Sequence, residues 1–77
     1  MAAVKFMNGN GEVMFQPELE NGERLYNFEE VSVWEKPICQ LPRKWSRALF
    51  ASESEARGRA SLEDFKRREN DWQEVEG

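Results

Sequence analysis

The chain is predicted to fold as a small α+β domain, an antiparallel β-meander over residues 3–36 followed by two or three helices over residues 42–74 packed on one sheet face. Three observations predict it. The front half alternates apolar and polar residues and is punctuated by Asn-Gly turns, whereas the rear half changes to helical spacing. Charge changes sign between the same two halves. Seventy-seven residues suit one core and no second domain.

The strands come first. Val4 and Phe6 share one face of a first strand, and Val13 and Phe15 one face of a second. Between them Asn8-Gly9-Asn10-Gly11 supplies four residues that accept positive φ, a hairpin signal. Pro17 lacks the N–H that a ladder needs and should end the second strand. Asn21-Gly22, between Leu19 and Leu25-Tyr26-Asn27-Phe28, predicts a second hairpin through a type I′ turn. Val31-Ser32-Val33-Trp34 is β-branched and aromatic, a last strand that stops before Pro37. Three to four strands result.

The helices are read from period and caps. Pro42 suits a first helical turn, and Leu41, Trp45, Ala48, Leu49 and Ser52 follow one helical stripe from which Arg43, Lys44 and Arg47 are excluded. Ser52 with Glu55, and Ser61 with Asp64, have capping-box spacing and predict two further helix starts. Gly58 either ends the middle helix or is tolerated inside a longer one. Leu62, Phe65, Glu69 and Trp72 trace an apolar stripe with one polar gap. On such stripes Trp45 and Trp72 are expected in the core.

Charge is sorted along the chain. Residues 1–35 hold seven Glu against Lys5 and Arg24, a net of −5; residues 36–68 hold nine bases against four acids, a net of +5; residues 69–77 add four acids. The sequence divides accordingly into a β-rich acidic half (1–36), a helical basic half (37–68) and an acidic, frayed C-terminus (69–77). The overall −4 hides this sorting, and fields of this kind choose partners.

Much chemistry is excluded. Histidine and threonine are absent, so no Ser-His or Cys-His pair and no imidazole base exists. Cys39 is the only cysteine, which rules out an internal disulfide and any thiolate cluster for a metal. It reads as a small apolar residue buried under the sheet-to-helix connection. Glu29-Glu30 and Glu53/Glu55 read as solvated charge, the first pair on opposite faces of a strand. The Asn8–Gly11 glycines precede a strand and lack the Gly-Lys-Ser/Thr ending of a phosphate loop. No catalytic residue, metal ligand or cofactor is assigned. No apolar run spans a membrane, Met1–Lys5 has no export-signal pattern, and a lone cysteine fits a reducing cytoplasm.

Binding remains. The leading expectation is a non-enzymatic module that docks on a larger protein and modulates it. Trp34, Arg43, Lys44 and Arg47 would anchor it, and acidic residues including Glu29 and Glu30 would steer. Size, dense charge blocks and missing catalytic equipment suit an accessory protein, such as an inhibitor, of a phage or other mobile element. One alternative is a nucleic-acid-binding domain using Arg43, Lys44, Arg47, Arg57 and Arg59, with Trp45 and Phe50 interleaved for stacking. Against it stand the acidic isoelectric point and the prospect of salt bridges from Glu63, Asp64 and Glu69 to Arg67 and Arg68. Another is an assembly subunit that forms homo-oligomers through its opposite charge blocks.

Overall fold

A computed structural model describes residues 2–70. Five strands precede one helix: β1 (Ala3–Met7), β2 (Val13–Pro17), β3 (Arg24–Phe28), β4 (Val31–Glu35), β5 (Trp45–Arg47) and α1 (Glu53–Asn70). β1 and β2 form an antiparallel hairpin, and β4-β3-β5 form a three-stranded antiparallel sheet. The α+β class holds, but the described residues form one helix where two or three were expected, and five strands in two sheets where a single meander of three to four was.

The first two hairpin loops are built alike. Gly11 N–H donates to the Asn8 carbonyl (3.1 Å) and Asn8 N–H to Glu12 (3.0 Å), just as Gly22 N–H donates to Leu19 (3.0 Å) and Leu19 N–H to Glu23 (2.7 Å). Gly11 (φ 82°) and Gly22 (φ 92°) are left-handed while the asparagines are not. Each is therefore a three-residue loop closed by a glycine bulge, not the two-residue type I′ turn expected at Asn21-Gly22. The asparagines act through their side chains instead. Asn8 Oδ1 accepts from Asn10 and Glu12 N–H, and Asn21 Oδ1 from Glu23 N–H.

The segment expected as a first helix is extended. Trp45 N–H closes a turn onto the Pro42 carbonyl (3.1 Å), and the chain then runs as β5 along β3. Beyond Arg47, Ala48 N–H still donates to the Leu25 carbonyl (3.1 Å). Two residues later Phe50 exchanges both backbone hydrogen bonds with Phe15 on β2 (2.8 Å each). Apolar residues spaced along 41–52 fit a helix equally well. The strand is preferred because β2 and β3 each offer backbone donors and acceptors that only an extended chain can meet. A Glu18–Arg24 bridge adds a second link between the sheets.

Ser52 caps α1 as its spacing predicts, accepting Glu55 N–H on Oγ (3.5 Å) and Ala56 N–H on its carbonyl (3.2 Å). The helix then passes through Gly58 and Ser61 without a break. Asp64 caps no helix; its carboxylate accepts the amide of Glu20 (3.3 Å) in the β2–β3 loop. α1 packs on β2 and β1 through Ala56 and Ala60, both fully buried. Alanine lets a helix approach a sheet closely. The Leu62–Phe65–Glu69 stripe faces away from that contact, and Trp72 lies outside the described residues, as does the expected acidic C-terminal segment from residue 71.

Leu19, Leu25, Tyr26 and Ala48 complete the buried apolar set. Tyr26 Oη accepts Ile38 N–H (2.9 Å), which ties down the 36–42 connection. Ile38 and Leu41 take its half-buried places and Cys39 is left exposed, contrary to the buried role expected of it. Gln16 is fully buried. Its Nε2 donates to the Leu25 carbonyl (2.7 Å), while Oε1 meets no donor.

The Leu25 carbonyl also has Ala48 N–H, so Gln16→Leu removes an orphaned acceptor without creating one. Its unfolding free energy in urea is expected within about 1 kcal/mol of wild type or above it. Gln16→Glu should cost roughly 3 kcal/mol or more at neutral pH, recovering as pH falls through the raised folded-state carboxyl pKa. A large loss in Gln16→Leu would show that the amide is needed.

Candidate partner-binding surface

Glu29-Glu30 forms a two-residue turn between Phe28 and Val31, which pair across β3 and β4. On its other side Phe28 pairs with Trp45, where the chain leaves the Pro42–Trp45 turn and enters β5. Two turns thus meet at one end of the three-stranded sheet. Each holds a non-glycine residue in the left-handed region, Glu29 at φ 56° and Lys44 at φ 73°. They face each other. Glu29 N–H donates to the Lys44 carbonyl (3.3 Å), and Lys44 Nζ pairs with Glu29 Oε1 (3.2 Å). Left-handed backbone costs a side-chain-bearing residue roughly 1–2 kcal/mol, most of which glycine would remove. Strained pairs of this kind point toward function.

Apolar surface surrounds the pair. The Phe28 and Trp45 rings lie 5.4 Å apart, tilted by 39°, and Trp45 meets buried Tyr26 edge-on at 6.3 Å. Phe28 remains 38% exposed and Val31 59% exposed. Trp45 is half-buried rather than in the core. An aromatic centre with a rim of both charge signs is the anatomy of a protein interface.

Four of the residues predicted from sequence gather here: Glu29 and Glu30 in one turn, Arg43 and Lys44 in the other. Glu29 and Glu30 were expected on opposite faces of a strand; they are turn residues. Trp34 stands opposite Leu25, on the other face of the sheet from Phe28, and is half-buried. Arg47 lies over the Phe6 ring, 5.0 Å from its centroid. Arg57 pairs with Glu53 one helical turn away (2.7 Å). Arg59 lines a cleft of about 430 Å³ beside Leu25, Asn27, Ser32 and Phe50. The five cations of the nucleic-acid reading therefore occupy three separate elements, and two of them already have a carboxylate. Phe28 and Val31 were not singled out from sequence. The signal was present, since Glu29-Glu30 separates two alternating runs at hairpin spacing, but it lacked the usual Asn or Gly.

Folding also joins the opposite charge blocks. Arg68 pairs with Glu20, and Arg67 with both Glu23 and Glu63, so the end of α1 is clamped onto the β2–β3 loop. Arg24 pairs with Glu18 (3.0 Å) within the same hairpin. Glu23 is held below its ordinary pKa, first by the Asn21 hydrogen bond and then by Arg67. Asp64 moves the opposite way, raised by burial against the opposing pull of Arg67. Among the described residues no group of carboxylates and Cys39 is arranged to hold a metal ion.

No protein-family model matches the chain, and no curated protein or solved structure matches it either.

The two shifted carboxyls predict the acid limb of stability. Glu23 stabilises above its unfolded pKa and loses that contribution as pH falls through its lower folded value. Asp64, with its folded pKa raised, gains stability over the same fall. Asp64→Asn should therefore steepen the drop in melting temperature between about pH 5 and 3, and Arg67→Met should flatten it. Parallel curves for wild type and both variants would contradict this assignment.

Proposed function

We propose that this chain is a non-enzymatic protein-binding module that engages a larger partner with the end of its three-stranded sheet. Trp45, Phe28 and Val31 are the apolar centre, and Glu29, Glu30, Arg43 and Lys44 the charged rim. The observation that carries this reading is the exposure of Phe28 and Val31 beside Trp45, at a corner held by two left-handed non-glycine residues. Stability alone would favour glycine at both positions. Retaining Glu29 and Lys44 there keeps two charged side chains at the edge of the apolar centre, where rim charges set on-rate and specificity more than affinity. A fitting partner has an apolar recess bordered by both an acidic and a basic group.

The test uses three baits in the native host: wild type, Val31→Glu, and the double variant Glu29→Gly, Lys44→Gly. Val31→Glu should fold with an unchanged melting temperature and lose at least about tenfold in affinity for the partner that wild type retains. The double glycine variant should be more stable than wild type by roughly 1 kcal/mol and yet associate more slowly. Undiminished capture by Val31→Glu would remove the sheet end from consideration. Binding of generic duplex DNA that weakens steeply with salt, and that is lost on changing Arg43 and Lys44 to Glu, would favour the nucleic-acid reading instead.

A further inference from the structure

The solvent-facing side of α1 is separate from the sheet end and joins exposed apolar side chains to open space at Gly58. With about 100° per residue, Ala56, Ala60 and Arg67 lie on the side that meets the strands. Gly58, Leu62, Phe65 and Glu69 lie opposite. Leu62 is 48% exposed and Phe65 59% exposed, two large apolar side chains that no other part of the described chain covers. Gly58 lies seven residues before Phe65, at nearly the same azimuth and roughly 10 Å away along the axis. A Cβ built there would meet nothing within 4 Å, so the helix has an open notch one side chain deep.

The charges on this side are equally specific. Glu55 and Lys66 are eleven residues apart, which returns them to within about 20° of the same azimuth, on one flank of the Gly58–Phe65 line. Both are exposed, and among the described residues neither makes an ion pair. Arg59 and Glu69 share this state, whereas Glu53, Arg57, Glu63, Arg67 and Arg68 are paired within the chain. Glu55 and Lys66 are too far apart to pair with each other along one helix.

We infer that α1 is a self-association face, on which a second copy of this chain packs antiparallel about a twofold axis near Ser61-Leu62. That single operation matches the notch, the two apolar side chains and the Glu55–Lys66 charges of the face. Each Phe65 falls opposite the notch at Gly58 of the other copy, the two Leu62 side chains meet at the axis, and each Glu55 comes within reach of the other Lys66. An isologous contact requires such self-complementarity, because each patch must answer itself. A parallel partner would instead set Phe65 against Phe65 and leave each Glu55 far from the other Lys66. One helix face is a small interface, so the dimer forms at roughly micromolar concentrations.

Sedimentation velocity on the full chain from about 1 to 500 μM tests this inference directly, the range bracketing micromolar association. Wild type should pass from monomer to dimer and go no further. Phe65→Asp should weaken association at least about tenfold. Glu55→Lys and Lys66→Glu should each weaken it about fivefold, and the two together should restore it, since the double variant re-forms both pairs with signs exchanged. Gly58→Leu should also block association, while its melting temperature in dilute solution stays at or above that of wild type. A monomer throughout the range, a dimer indifferent to Phe65→Asp, or a charge exchange that fails to restore dimerisation would overturn it.

Discussion

The extended segment from Trp45 to Phe50 is the constraint on which the rest of this structure depends. It hydrogen-bonds to β3 as far as Ala48 and to β2 at Phe50, so one short stretch joins a two-stranded and a three-stranded sheet. Without it β2 and β3 would be linked by the Glu18–Arg24 bridge and the Gln16 side chain on the Leu25 carbonyl, and each sheet would keep only two strands, too few to be independently stable. The same stretch delivers Ser52 to the point where α1 begins, which aligns Ala56 and Ala60 with β2. Its first residue, Trp45, places a large ring at the sheet end. Topology, helix placement and candidate surface therefore share one cause.

Electrostatics works within the molecule before it works outside. The strongest contrast along the chain, acidic residues through position 35 against basic ones after it, is met in part where Arg67 and Arg68 meet Glu20 and Glu23 and Lys44 meets Glu29. Those pairs are partly exposed, and each contributes little alone. Together with the Glu20 amide on Asp64 the Arg67 and Arg68 pairs form a small network that orients the end of α1 against the β2–β3 loop. Part of the charge sorted in sequence has become charge paired in space. On α1, among the described residues, Glu55, Arg59, Lys66 and Glu69 stand outside these pairs.

Two surfaces are then distinct in character. The sheet end is held by strained backbone and carries aromatic side chains within a charged rim, features suited to a foreign protein. The outer face of α1 is regular, and its notch, apolar residues and charges complement one another, features suited to a second copy. A module that dimerises through its helix while keeping both sheet ends free would present two sites to a partner, and linked sites gain avidity without new contacts.

Sequence by itself determined the α+β class, the β1–β2 hairpin, a turn at Asn21-Gly22, the end of β2 at Pro17, the end of β4 before Pro37 and the cap at Ser52. All of these rest on local chemistry: positive φ at glycine, the missing proline N–H, and a hydroxyl placed to accept an amide. Glu29, Glu30, Arg43 and Lys44 were also legible as candidates because exposed charge is visible without a fold. Only the tertiary structure decided that residues 45–50 are extended, since their apolar spacing satisfies both periods and the unmet backbone groups of β2 and β3 settle the choice. It alone decided that the Leu62–Phe65 stripe faces outward, because two alanines permit closer packing on β2 than the larger residues would. And it brought Glu29 to Lys44, a meeting of two turns that no spacing along the chain encodes.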